Sequence, residues 1–289
     1  MTRAGSTVTE ELKAKLAADG WCVVPDVISR AIAADAVSRL WAIARANAEE
    51  GFSCHLPGLD PNPSMVRVLT PLQSDGLFRE LIANDTALEF ARAVVGQEVI
   101  VANCTANIAL PGAQSMLLHS DLAFILPEPW LYPWSVNAVW CLTDITRENA
   151  GTLYIPGSHL WRTQADVPDN AAELLVPFEA SAGSLLVMDG RLWHTSGANV
   201  TQDEERALLF AYYSASFLRP MINWTAAMPA ELQATFPKRL RQLLGLDVFA
   251  NTHDDELGFQ GHWKGQPVGA QAAMAELRGA LAKRSVTPA

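Results

Sequence analysis

Three side chains in this sequence have the types and spacing of a metal site. The stretch "MLLHSDLAF" (116–124) sets His119 and Asp121 two positions apart in an apolar run. In an extended strand, positions i and i+2 project to one face, so the imidazole and the carboxylate stand side by side. Such a pair arises by chance or forms two-thirds of a metal site. A third candidate, His194, lies on a distant segment, "VMDGRLWHTSGAN", just after an apolar run that ends at Asp189 and Gly190.

Two histidines and one carboxylate with three open positions are the donor set of a facial, non-haem Fe(II) site. Two open positions take a bidentate 2-oxo acid and the third takes dioxygen, whereas a structural metal site closes its coordination sphere. A halogenase of this kind needs room for chloride where Asp121 stands. Arg206, in "EERALLFAYYS", is placed to return on a neighbouring strand and hold a carboxylate bidentately. Taken alone, it reads as a strand-end arginine in solvent.

The surrounding elements must bring these residues together. Residues 7–18 have the pattern of a short amphipathic helix, with Leu12 and Leu16 on one face and Gly20 as its stop. "WCVVPDVIS" is a short strand and turn. Residues 30–49 predict a second helix with Ile32, Ala36, Leu40, Ile43 and Ala44 as its buried stripe. "GFSCHLPGLDPNPS" is a loop, and helical pieces follow near 75–83 and 86–95. After Gly96 the texture changes. "EVIVANCTANIAL", "SVNAVWCLTDI", "GTLYIPG", "ELLVPFE", "GSLLVMDG" and "RALLFAYYSASF" are short apolar runs separated by turn residues, with no helices between them. That is the pattern of an antiparallel barrel or jelly roll of roughly eight strands. A helix over 229–244 despite Pro237, an irregular stretch over 246–270 and a last helix in "AQAAMAELRGALAKR" complete the chain.

The sequence has 289 residues, 49% of them hydrophobic, enough for a sizeable core. The net charge of −10 leaves no basic footprint for nucleic acid. No apolar leader core or membrane-length window is present, so no membrane partner is expected. Cys22, Cys54, Cys104 and Cys141 are far apart and fit neither a metal motif nor a disulfide framework. Reduced thiols in a cytoplasmic protein, monomer or homodimer, are expected.

Several segments, in order, resemble the phytanoyl-CoA dioxygenase family of Fe(II)/2-oxoglutarate-dependent oxygenases. They are "DGWCVVPDVIS", "LPGAQSMLLHSD", "VWCLTDITRENAGTLYIPGSH", "AGSLLVMDGRLWHTSGANVTQDEERALLFAYYS", "FLRPMIN" and "LLGL", together spanning roughly residues 10–245. The resemblance implies a mainly β fold with flanking helices and a double-stranded β-helix (jelly-roll, cupin-like) core at about 97–217. N-terminal helices (7–95) would pack on it and a C-terminal helical extension (220–289) would follow, making one domain over 1–289. It implies Fe(II), 2-oxoglutarate as co-substrate and O2. His119, Asp121 and His194 become the catalytic metal ligands, and Arg206 the partner of the C5 carboxylate of 2-oxoglutarate. Thr152 either hydrogen-bonds that carboxylate or is a plain strand residue. Many members carry glutamine three residues before the first ligand, where this chain has Met116, with Gln114 nearby. The C1 end would then be gripped by Asn103 or Asn107, each of which also reads as a strand-edge residue. His159 is expected to cap a turn, while His55, His253 and His262 have no ligand role. His55 and Arg67 are candidates for a substrate-facing loop.

The implied reaction is oxidation, as hydroxylation, of an unactivated C–H bond in a small, mostly apolar metabolite of secondary metabolism, releasing succinate and CO2. "LAFILPEPWLYPWSV" offers Phe124, Trp130 and Trp134 as an aromatic wall, with Trp140 and Met116 as further substrate-lining residues. Packing of these aromatics on the barrel is the other reading. Two further readings stay open: a non-catalytic jelly-roll binding protein, and a metal-dependent cupin-type enzyme that does not use 2-oxoglutarate.

Overall fold

The computed structural model describes residues 3–123, 125–247 and 278–279. The chain runs α1 (Arg3–Asp19), β1 (Trp21–Val24), α2 (Arg30–Glu49), β2 (Met65–Val68), α3 (Pro71–Ser74), α4 (Gly76–Ile82) and α5 (Asp85–Val95). The strands β3 (Val99–Ala109), β4 (Ser135–Cys141), β5 (Thr152–Tyr154), β6 (Val176–Pro177), β7 (Leu185–Asp189), β8 (His194–Ser196) and β9 (Arg206–Ala215) follow. Three short helices, α6 (Trp224–Ala227), α7 (Ala230–Gln233) and α8 (Lys238–Leu243), come last.

The large sheet has the order β1-β7-β4-β9-β3-β2 and the small one β6-β5-β8, with antiparallel pairing throughout. Period-two alternation sorts the large sheet's side chains between its faces. On β4, Val136, Ala138 and Trp140 join a core shared with the helix residues Leu40, Phe78 and Phe90. Val139 and Cys141 point the other way, into an inter-sheet cluster with Tyr154, Phe178 and Leu208. On β9, Ala207, Leu209, Ala211 and Tyr213 belong to the helix side. This is the expected jelly roll, with helices on the outer face of its larger sheet.

β3 changes phase along its length. A register shift between Val101 and Asn103 inserts a bulge, which reverses the faces beyond it. Val99 and Val101 face the helices before the shift, and Cys104, Ala106 and Ile108 do so after it. Asn103, Thr105 and Asn107 therefore turn between the sheets.

The structure corrects several expectations. β1 and β2 place two N-terminal segments inside the large sheet, so the β core is not confined to 97–217. Short 3-10 turns at 158–160, 164–166 and 171–174 lie between β5 and β6. The 229–244 helix divides into α7 and α8, because Pro237 sits at the N-cap of α8 and has no N–H to continue a helix through itself. In α2 the buried stripe is Ala33, Ala36, Leu40, Ile43 and Ala44. Ile32 is exposed, and its N–H is bound by the capping Ser29 hydroxyl at 3.2 Å. The 246–270 stretch, apart from its first two residues, and the last helix, apart from Arg278 and Gly279, lie outside the described residues.

Gly20 joins α1 to β1 at φ +81°, and a Cβ there would stand 2.6 Å from the His159 ring. Gly20→Ala is expected to cost at least about 1–2 kcal/mol from its backbone alone, lowering Tm by several degrees in a thermal melt. His159 is 2% exposed, and burial holds its pKa below the ordinary 6.5. The unfolded chain therefore takes up this proton before the folded one does. The associated stability is present above about pH 6.5 and is lost as pH falls below it. His159→Gln should lessen the decline in urea midpoint between pH 6.5 and 5.

Candidate metal centre

Two segments far apart in sequence are bridged at His119 and His194. The His119 N–H donates to the His194 carbonyl at 3.0 Å, and the His194 N–H donates to the His119 carbonyl at 2.8 Å. Directly opposed residues of such an antiparallel pair carry their side chains on one face, and the two ring centroids are 4.5 Å apart. The expected strand carrying both His119 and Asp121 is not present. Residues before His119 are irregular, His119 makes a lone bridge, and Asp121 opens a turn. The Leu122 N–H bound to the Gly190 carbonyl at 2.8 Å and the Ala123 N–H bound to the Ser120 carbonyl at 3.1 Å hold that turn. Asp121 Oδ1 ends 3.8 Å from His119 Nε2 and 4.0 Å from His194 Nε2.

The hydrogen bonds decide which ring atoms are free. His119 Nδ1 lies 2.9 Å from the Leu117 carbonyl, and His194 Nδ1 lies 2.9 Å from the Leu192 carbonyl. A carbonyl only accepts, so each Nδ1 carries the proton and each Nε2 lone pair faces Asp121. Burial holds the His194 pKa below the ordinary imidazole value, which favours the neutral form a metal requires. Asp121 Oδ2 accepts from Asn137 Nδ2 at 3.0 Å, and Tyr212 OH donates to the Asp121 carbonyl at 3.1 Å. One potential ligand atom from each of the three residues lies within 4.8 Å of the others, the one such cluster among the described residues. Two neutral nitrogens and one carboxylate oxygen suit a divalent first-row cation bound on one face.

A cavity of about 150 Å³ opens beside these atoms. Of the sequence-nominated residues, it brings together Asn103, Asn107, Met116, Thr152 and Arg206 with the three candidate ligands. Arg206 is 1% exposed. Its Nε donates to the Ala150 carbonyl at 3.0 Å, while its Nη1 has no partner. Burial pushes its pKa down to about 10, which leaves it protonated at neutral pH. An unpaired buried guanidinium is costly, so this cavity wall is suited to an anionic ligand. Arg67 also lines the cavity, but Asp60 neutralises it through two bonds of 2.6 and 2.7 Å, and its Nη1 reaches Asn107 Oδ1 at 3.4 Å. Thr195 Oγ1 donates to the Met116 carbonyl at 2.6 Å, and the Met116 N–H is bound by Ser196 Oγ at 3.1 Å. These bonds fix Met116 against β8.

The nominated tryptophans stand elsewhere. Trp130 packs with Leu122, Ile155 and Trp193, and its Nε1 donates to the Ile125 carbonyl at 2.9 Å. Trp134 lies between Tyr132 and Phe217, with centroids 5.2 and 5.1 Å away. Trp140 faces the helices, as the parity of β4 requires once Asn137 faces inward. The cavity wall instead carries the amides of Asn103, Asn107 and Asn137, with Phe210 and Tyr212 as aromatic lining residues. Phe124, His253 and His262 lie outside the described residues, and His55 is not among the cavity-lining residues. Sequence reasoning missed Asn137 and Tyr212. The signal for Asn137 was present, since it is the polar interruption of "SVNAVWC".

His119→Ala and His194→Ala each remove a candidate ligand. Anaerobic calorimetry with Mn(II) should show dissociation constants raised at least about 100-fold, beyond the effect of losing an outer hydrogen bond.

Comparisons with known proteins show the family and the fold. Residues 16–207 match the family model described as phytanoyl-CoA dioxygenase. The dioxygenase af480 of Aspergillus fumigatus is 54% identical over 237 residues, which cover 82% of this chain and 77% of that protein. Among solved structures, the epimerase SnoN in complex with Fe3+, alpha ketoglutarate and nogalamycin RO aligns with TM-score 0.59 and 22% identity, covering 82% of this chain and 94% of that one. HygX from Streptomyces hygroscopicus, with nickel, 2-oxoglutarate and hygromycin B bound, aligns with TM-score 0.58 and 20% identity, covering 76% of this chain and 90% of that one. The structural likenesses speak for the fold.

Proposed function

The chain belongs to the phytanoyl-CoA dioxygenase family, and from that membership we propose an Fe(II)- and 2-oxoglutarate-dependent dioxygenase that hydroxylates an unactivated C–H bond of a small, mostly apolar metabolite, releasing succinate and CO2. One observation carries this reading: the cavity that holds His119, Asp121 and His194 also holds the unpaired Arg206 guanidinium. A structural metal site or a cupin using metal alone has no need of a buried cation without a counter-charge.

Bound Fe(II), with 2-oxoglutarate and O2, supplies the oxidising chemistry, in which decarboxylation of the 2-oxo acid is coupled to oxidation of the substrate C–H bond. His119 Nε2, His194 Nε2 and Asp121 Oδ1 would hold the metal. Arg206 would pair with the distal carboxylate of 2-oxoglutarate, with Thr152 beside it. Asn103, Tyr212 and Asn137 lie in one row across β3, β9 and β4, and two of these three bind Asp121. Asn103 is thus level with the metal ligands and is our choice for the C1 end. Asn107 lies further along β3 toward Arg206 and is already engaged by Arg67.

The cavity is smaller than the ~300–1,000 Å³ of sites that enclose drug-sized ligands. With co-substrate inside, a metabolite would present only one edge to the metal. Met221 lines the cavity while 55% exposed, and Phe210 lines it as well. These side chains support an apolar substrate body lying across the mouth. No helix among the described residues is long and apolar enough to cross a membrane, and four free cysteines suit a reducing compartment such as the cytoplasm.

Anaerobic addition of 2-oxoglutarate to the Fe(II)-loaded protein should produce a weak visible charge-transfer band. Under air, slow succinate release should accompany it. Arg206→Met should lose both the band and the succinate at moderate 2-oxoglutarate while retaining Mn(II) binding. Wild-type protein with neither band nor succinate would refute the proposal.

A further inference from the structure

We propose that Asn137 is a positioning residue that sets the metal affinity of this site by fixing which oxygen of Asp121 faces the two imidazoles. Asn137 stands in the middle of β4, whose seven residues are all buried. A side-chain amide there is costly unless paired, and this one makes no hydrogen bond to the fold's backbone. Its Nδ2 donates to Asp121 Oδ2 at 3.0 Å, and its Oδ1 has no partner. A carboxylate only accepts, so this bond also settles the amide's orientation: Nδ2 is toward Asp121.

The consequence is mechanical. Asp121 sits on a turn, where no pleat dictates its rotamer. Tyr212 OH holds its carbonyl, and Asn137 holds one carboxylate oxygen. The other, Oδ1, is left 3.8 and 4.0 Å from the two Nε2 atoms. Asn137 is also neutral. A lysine or arginine in its place would orient Asp121 equally well but would repel the cation and compete for the carboxylate charge. Among side chains with an N–H donor, an amide adds orientation without charge. The register supports the arrangement, since Asn137 lies directly opposite Tyr212, so both clamps on Asp121 come from one cross-strand pair.

This role rests on the metal-binding function proposed above for His119, Asp121 and His194, and the test separates the two. Mn(II) affinity is measured by anaerobic calorimetry on wild type, Asn137→Ala, Asn137→Leu and Asn137→Ser, with a thermal melt of each metal-free protein. Asn137→Leu keeps the bulk and removes the donor, while Asn137→Ser keeps a shorter donor. Ala and Leu variants should bind Mn(II) about 10- to 100-fold more weakly than wild type, the Ser variant should fall between, and the Asp121→Ala background should show no further loss from Asn137→Ala. Wild-type affinity in the Ala or Leu variant overturns the positioning role. So does a loss matched by an equal further loss in the Asp121→Ala background, which would mark a general effect on the fold. Should Asn137→Ala melt far below wild type, the Leu and Ser variants decide the matter by themselves. Failure of wild type to bind Mn(II) at all would instead overturn the metal site itself.

Discussion

The paired backbone hydrogen bonds between His119 and His194 are the constraint on which the site depends. They join the irregular segment before the Asp121 turn to β8, and β8 is anchored in turn to β5. Because opposed residues in an antiparallel pair share a face, one backbone contact aims both imidazoles at the same point. The carbonyls of Leu117 and Leu192 then choose the tautomer of each ring. Donors assembled this way need no side-chain packing to bring their nitrogens together; the backbone bridge does it.

Charge is rationed around that point. The described wall of the cavity includes one unpaired cation, Arg206, and one neutralised pair, Arg67 with Asp60. Burying two like guanidiniums near one another would be prohibitive without Asp60, and Arg67 already depresses the Arg206 pKa. Leaving Arg206 unpaired costs stability, which a carboxylate bound there would offset. Beyond the candidate ligands, the remaining wall combines neutral donors and acceptors with Met116, Phe210 and Met221. Asparagines on β3 reach it because the bulge at Val101/Asn103 reverses the strand's phase.

Much of this was legible from residue types. The jelly roll followed from short apolar runs between turn residues, and α2 was readable to its ends because its alanine-rich stripe repeats with helical period. The candidate trio was legible because imidazoles and a carboxylate are out of place in apolar surroundings, and the structure brings the three together. The same logic applies to Asn137 in "SVNAVWC" and went unused, because an amide has no familiar catalytic signature. The aromatic wall was misjudged for a physical reason. Tryptophan signals burial without saying where, and Trp130, Trp134 and Trp140 found other apolar partners.

By itself the sequence determined the fold class, the family, and the chemistry available: two imidazoles, one carboxylate, one arginine and a row of amides. Those are properties of composition, period and order along the chain. Only the tertiary structure decided how they are used. It replaced the expected H-x-D strand with a bridge and a turn, because the carboxylate must swing off the pleat to meet two rings. It turned Asn103 and Asn107 inward through a bulge, paired Arg67 with Asp60 so that Arg206 alone stands uncompensated on that wall, and set Asn137 against Asp121. Each depends on contacts between residues distant in sequence, where local pattern carries no information about register, phase or partner.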